Sequence, residues 1–168
     1  MKSIILYYSR AAENYFHGAL RYIEEGNTKR AAEQLRDMTG ADLFEIVQKE
    51  PYADDYNTCI AQAKEDKQNG ARPELESLPD LTGYDTVYLG YPNYWGTMPM
   101  AVFTLLEQYD WSGKTIRPFC TNEGSGMGTS ERDLRREAPG AEIAAGLSIP
   151  GSRVEDAESY FKNWIPEE

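Results

Sequence analysis

Three stretches of this sequence combine residue types that suit ligand chemistry. The first is Ser9-Arg10 taken together with Gly26-Asn27-Thr28-Lys29. Hydroxyls, a guanidinium and a glycine at the start of a helix make an anion cradle, because the first N–H groups of a helix are unpaired and sit at its positive end. Asn27-Thr28 is also what an ordinary N-cap looks like. The second stretch is Tyr91-Pro92-Asn93-Tyr94-Trp95-Gly96-Thr97. Two adjacent aromatics between Pro and Gly suit a planar ring ligand, or else a pair packed over a sheet end. The third is Cys120-Thr121-Asn122-Glu123-Gly124-Ser125-Gly126-Met127-Gly128-Thr129-Ser130. Its alternate glycines bring backbone N–H and C=O groups close to a ligand edge, or simply make a flexible loop. Thr129 stands where a GxGxxG fingerprint needs its third Gly. Gln108 stands where a P-loop ending in Gly113-Lys114-Thr115 needs its first.

Five β-rich runs alternate with helical patterns and must position these stretches. The strands are expected at 3–8, 42–47, 85–91, 114–120 and 142–149, the last weakened by Ala144, Ala145 and Gly146. The helices are expected at 28–39, 54–68, 99–109, 130–137 and 153–164, with Gly40 stopping the first and Pro99 opening the third. Strand alternating with helix predicts an α/β fold with a doubly wound five-stranded parallel sheet covered on both faces. In such sheets ligands bind outside the carboxyl ends of the strands. All three stretches leave such ends. Residues 11–25 intervene where a connection of roughly 2–6 residues is usual. Tyr15, Phe16, Leu20 and Tyr22 give that insertion apolar groups to pack.

Composition narrows the function. The 168 residues, 40% hydrophobic and 27% charged, predict a single domain over 1–168. A net charge of −11 opposes a phosphate backbone and argues against nucleic-acid binding. No apolar run approaches the roughly 20 residues that span a bilayer, so the chain reads as cytoplasmic with no membrane partner. Cys59 and Cys120 match no zinc spacing and read as reduced, buried residues. His17, the single histidine, excludes a multi-histidine metal site.

An anion cradle, an aromatic platform and a glycine-rich edge at successive strand ends match the phosphate, ring face and ring edge of flavin mononucleotide, FMN. On these residues the chain resembles the flavodoxin family over nearly its whole length, and flavodoxins are themselves a standard illustration of the strand-end rule. Ser9 matches the opening of the family's phosphate loop and Gly26-Asn27-Thr28 its end, with 11–25 inserted between; Glu13, Asn14 and Tyr15 are candidates for the middle of the cradle. Residues 92–97 resemble the loop that covers the flavin face, and Thr121-Asn122-Glu123-Gly124-Ser125-Gly126 the loop at its other edge. The resemblance implies noncovalent FMN, a short-chain flavodoxin-like sheet of strand order 2-1-3-4-5, and electron transfer.

The leading functional expectation is an electron carrier that docks on redox partner proteins with basic surfaces. The segments 91–100 and 120–130 contain no Lys or Arg, and the second contains Glu123, which should lower the potential of a bound flavin. Trp95 is the better expected stacking residue, ahead of Tyr94. The alternative is an NAD(P)H-dependent quinone or flavin reductase on the same fold, which needs cations for dinucleotide phosphates; Arg132, Arg135 and Arg136 would supply them if their helix turned inward. A third reading is an interaction module that has lost the cofactor.

Overall fold

Strand β1 (Ser3–Tyr7) is apolar on both faces, and its alternating side chains feed two separate cores. Ile4 and Leu6 join one with Leu89, Met98, Phe103 and Trp111; Ile5 and Tyr7 join the other with Ala31, Leu35, Phe119 and Phe161. The computed structural model describes residues 2–16 and 18–167, so His17 lies outside the described residues. Along the chain follow β2 (Ala12–Phe16), β3 (Ala19–Ile23), α1 (Asn27–Thr39), β4 (Asp42–Glu45), α2 (Tyr56–Gln68), β5 (Thr86–Pro92) and α3 (Met100–Leu106). Then come β6 (Thr115–Asn122), α4 (Ser130–Glu137), β7 (Glu142–Ile143), β8 (Leu147–Pro150), a 3-10 turn (Gly151–Asp156) and α5 (Ala157–Phe161).

The main sheet is parallel, in the order β4-β1-β5-β6-β7, with β8 also pairing with β6. This is the expected doubly wound α/β order 2-1-3-4-5, with one correction. The fifth strand is broken into β7, beside Thr115 and Ile116, and β8, beside Phe119–Asn122. Between them the Gly146 N–H turns away to Glu131 Oε2 at 3.0 Å. A Cβ on Gly146 would collide with Met127 Cε, so this segment gives up regular pairing to pass under α4. The last helix also differs from expectation: a 3-10 turn opens it and only Ala157–Phe161 is α-helical.

Residues 11–25 form a hairpin, β2 antiparallel to β3, separate from the main sheet. Their apolar groups do not pack as expected: Tyr15, Leu20 and Tyr22 are exposed, and among the described residues of the hairpin only Ala12 is buried. The two ends of the interrupted loop nevertheless meet. A Cβ on Gly26 would overlap Ser9 Oγ and lie 2.7 Å from the Arg10 carbonyl, so only glycine fits there. Among the described residues no helix is long and apolar enough to cross a membrane. Both cysteines are free and buried.

Candidate functional site at the strand ends

A cleft of about 520 Å³ opens at the carboxyl ends of β1, β5 and β6. At one end lies the first turn of α1. Its N-cap, Gly26, has no side chain to offer, and Ser9 does that work from across the hairpin: its Oγ accepts the Lys29 N–H at 3.0 Å. The N–H groups of Asn27 and Thr28 precede the helical ladder, which begins with Arg30 N–H to Gly26 O, and have no partner among the described residues, the arrangement that suits an anion. Thr28 is buried, and its hydroxyl shares a 2.8 Å hydrogen bond with that of Thr121, tying α1 to the end of β6. Arg10 points along the cleft wall toward α2, where its Nη2 donates to Asp54 O at 2.8 Å and Glu13 O at 3.2 Å. Its Nε is buried without a partner among the described residues, and no ion pair involving Arg10 forms among them.

The aromatic loop splits in two. Tyr94 turns inward against the core, edge-on to Tyr8 at 5.8 Å and tilted to Tyr52 at 6.4 Å. Burial, then the neighbouring Tyr8, holds its phenol well above the usual tyrosine range. Beside it burial pushes up the Cys59 thiol, against a smaller opposite pull from Arg10. Trp95 stays exposed. With Gly96 it forms a tight turn, φ 55° and 88°, closed by Tyr94 N–H to Thr97 O at 2.8 Å. Its Nε1 donates to Ile60 O at 2.8 Å, Lys64 Nζ lies 5.1 Å from its ring centre, and Lys67 Nζ donates to its carbonyl. The cations absent from the loops are thus brought to the rim by α2. Arg132 and Arg136 instead pair, from the exposed face of α4, with buried Asp133, and neither lines the cleft.

The glycine loop is organised by two asparagines. Asn122 Oδ1 accepts the N–H groups of Gly124 and Gly126, each at 3.0 Å, while its Nδ2 donates to Ser148. Asn93 bridges to the other loop, donating from Nδ2 to Gly126 O at 2.9 Å and accepting the Gly96 N–H at 2.8 Å. Asn27 Oδ1 and Glu123 Oε1 are buried and unpartnered among the described residues. Both sit against Gly151, where a Cβ would come within 2.5 Å of Asn27 Nδ2 and 2.7 Å of Glu123 Oε1.

A family model described as flavodoxin matches residues 19–167. The chain belongs to the flavodoxin family. Its fold is similar to that of a candidate flavoprotein from Bacteroides eggerthii, 27% identical over 96% of each chain, with a TM-score of 0.75. A second candidate flavoprotein, from Bacteroides uniformis, is 26% identical over 96% of this chain and 97% of its own, with the same TM-score of 0.75. A flavoprotein from Lactobacillus acidophilus, solved in complex with FMN, shares the fold at 23% identity over 94% and 98% of the two chains, with a TM-score of 0.68. A search of the curated proteins gives no match.

The strand-end loops converge here. Of the residues expected from sequence, Arg10, Asn27, Thr28, Pro92, Asn93, Tyr94, Trp95, Gly96, Thr121, Asn122, Glu123 and Ser125 line the cleft. Ser9, Gly26, Thr97, Gly124 and Gly126 do not, and each has a different task. Ser9 caps α1 and Gly26 gives it room; Gly124 and Gly126 turn the loop onto Asn122. Thr97 is buried and donates to Asp133 Oδ2 at 2.6 Å. The sequence reading missed the wall contributed by α2, namely Tyr56, Cys59, Ile60 and Ala63, and also Gly151. A helix face of small and apolar residues reads as core, and only its contact with Trp95 reveals it as a cleft wall.

Proposed function

We propose that this chain binds FMN in the strand-end cleft and carries electrons between partner proteins. The observation that carries the reading is the convergence of an unpaired helix start, an exposed Trp and buried unpaired oxygens in one cleft of FMN-compatible volume. The free N–H groups at the start of α1 suit a phosphate. Asn27 and Glu123 offer acceptors to the hydroxyls of a sugar alcohol, satisfying oxygens that are otherwise buried unpaired. Trp95 offers an aromatic face to the ring. FMN when bound supplies one- and two-electron redox chemistry, and the protein orients it, excludes water and sets its potential. The net charge of −11 favours docking to basic partner surfaces.

The supporting experiment is direct. Flavin released from the purified protein should be FMN, and adding FMN to the stripped protein should quench flavin fluorescence strongly. A colourless protein that fails to quench FMN would leave the interaction-module reading in its place.

Lys64 and Lys67 at the rim favour a second reading, an NAD(P)H-dependent quinone or flavin reductase, since they supply cations that dinucleotide phosphates require. Steady-state NADPH oxidation with a quinone separates the two. A carrier should turn over far below the median enzyme rate of about 10 per second. Saturable turnover at that rate would promote the reductase.

A further inference from the structure

Among the described residues five large hydrophobic side chains are exposed, and four of them cluster at one place. Trp95 (43% exposed) and Tyr15 (45%) line the cleft, and Leu20 (46%) and Tyr22 (69%) continue outward from Tyr15 on the hairpin. The hairpin register explains why they are contiguous. Tyr15 lies opposite Leu20 and Glu13 opposite Tyr22, so all four share one face. Arg21 lies on the other face, opposite Asn14, with its guanidinium 5.0 Å from the Phe16 ring. Glu13 anchors the hairpin to the start of α2, its Oε1 accepting the Tyr56 N–H at 3.1 Å while Tyr15 and Tyr56 meet at 6.4 Å. The apolar face is therefore anchored at the cleft mouth, and Leu20 and Tyr22 on it stay exposed among the described residues.

We propose that this hairpin face is the docking platform for the redox partner, a protein presenting an apolar contact ringed by basic residues. The proposal rests on the carrier reading above. The occupant is chosen by charge. Exposed Glu24 follows β3, with Glu25 beside it paired to Lys29 at 3.4 Å, and exposed Asp54 and Asp55 flank the anchor point on α2; the hairpin face itself carries Glu13 and no cation. Lys64 and Lys67 lie further along α2, beside Trp95, so charge differs between the two ends of the mouth and a basic partner lies with its charged side over the hairpin. A second copy of this chain is disfavoured, because each would bring a net charge of −11 to the same contact.

Ferricytochrome c, a basic protein with an apolar haem edge, serves as the probe, and Leu20→Ser with Tyr22→Ser as the variant of the purified protein. Neither residue lines the cleft, so FMN affinity should stay within twofold of wild type. The dissociation constant for ferricytochrome c, by calorimetry or NMR titration, should rise at least tenfold, and wild-type binding should weaken steeply with salt. Equal binding by variant and wild type, or no binding by wild type, overturns the docking platform. So does a dimer seen by sedimentation that the substitutions dissociate, since a second copy would then cover the face. If the wild type takes up no FMN the carrier reading falls, while the ferricytochrome c titration still judges the surface by itself.

Discussion

Trp95 stands at φ 55° and Gly96 at φ 88°, the left-handed pair that a tight turn of this type demands and that Asn-Gly adopts most readily. A bulky aromatic in the first position costs about 1 kcal/mol of backbone strain, of the kind that persists where a side chain must be presented. Trp95→Asn should therefore leave stability to urea unchanged or slightly raised, even though the bond to Ile60 O is lost. It should weaken FMN binding at least tenfold. A stability loss well beyond 1 kcal/mol with FMN affinity intact would mark the indole as structural. Ser9→Ala removes a helix cap and should cost about 1 kcal/mol in the same unfolding experiment, with Gly26→Ala costing more because its Cβ has no room. Ser9, Gly26 and Thr28 were legible as one motif because their types and the helix start agree. Which of them faces a ligand was not, because only the fold shows that Ser9 Oγ accepts the Lys29 N–H and that the Thr28 hydroxyl shares a hydrogen bond with that of Thr121.

At the level of elements, four of the five expected strands and the positions of all five helices follow from apolar periodicity. The exceptions have local causes. Ala144-Ala145-Gly146 is too weak a strand former to resist the pull of Glu131, so the fifth strand breaks. The hairpin was visible only as excess length, since its two strands have one buried side chain among the described residues and no apolar alternation to read. Because Ser9 and Gly26 touch, excising 11–25 should leave a protein with native circular dichroism. The excision also removes Asn14 and Tyr15 from the cleft and two anchors of Arg10 and Tyr56, so FMN affinity should fall about tenfold, or ~1.4 kcal/mol. Unchanged affinity by titration would show that the hairpin is passive toward FMN or serves a partner.

For the molecule as a whole, buried acids in the sheet set its alkaline limit. Burial pushes the Cys120 thiol from an ordinary value of 9.0 up to about 12. Burial first, then Glu45, pushes the Tyr7 phenol from 10.0 up to about 12. Both groups hold their protons more tightly folded than unfolded. Their contribution is complete below about pH 9 and is lost as pH rises toward 12, at up to ~1.4 kcal/mol per pH unit for each group. Urea midpoints should fall steadily across that window, and Cys120→Ala should flatten the part of the slope nearest pH 9. A midpoint independent of pH there would mean that the thiol is open to water in the folded protein. The acidic surface was plain from composition, but its division at the cleft mouth between hairpin carboxylates and the lysines of α2 depends on tertiary neighbours that no local pattern encodes.

The contact of Ser9 with Gly26 means that the chain departs for the hairpin and comes back through a single point. Such a junction behaves as a socket. Segments of other lengths and shapes can be plugged in between Arg10 and Gly26 while the helix start beneath remains as it is. Exchange of that one cassette would let a lineage, or an engineer, change the surface presented at the cleft mouth without rebuilding the helix start beneath it.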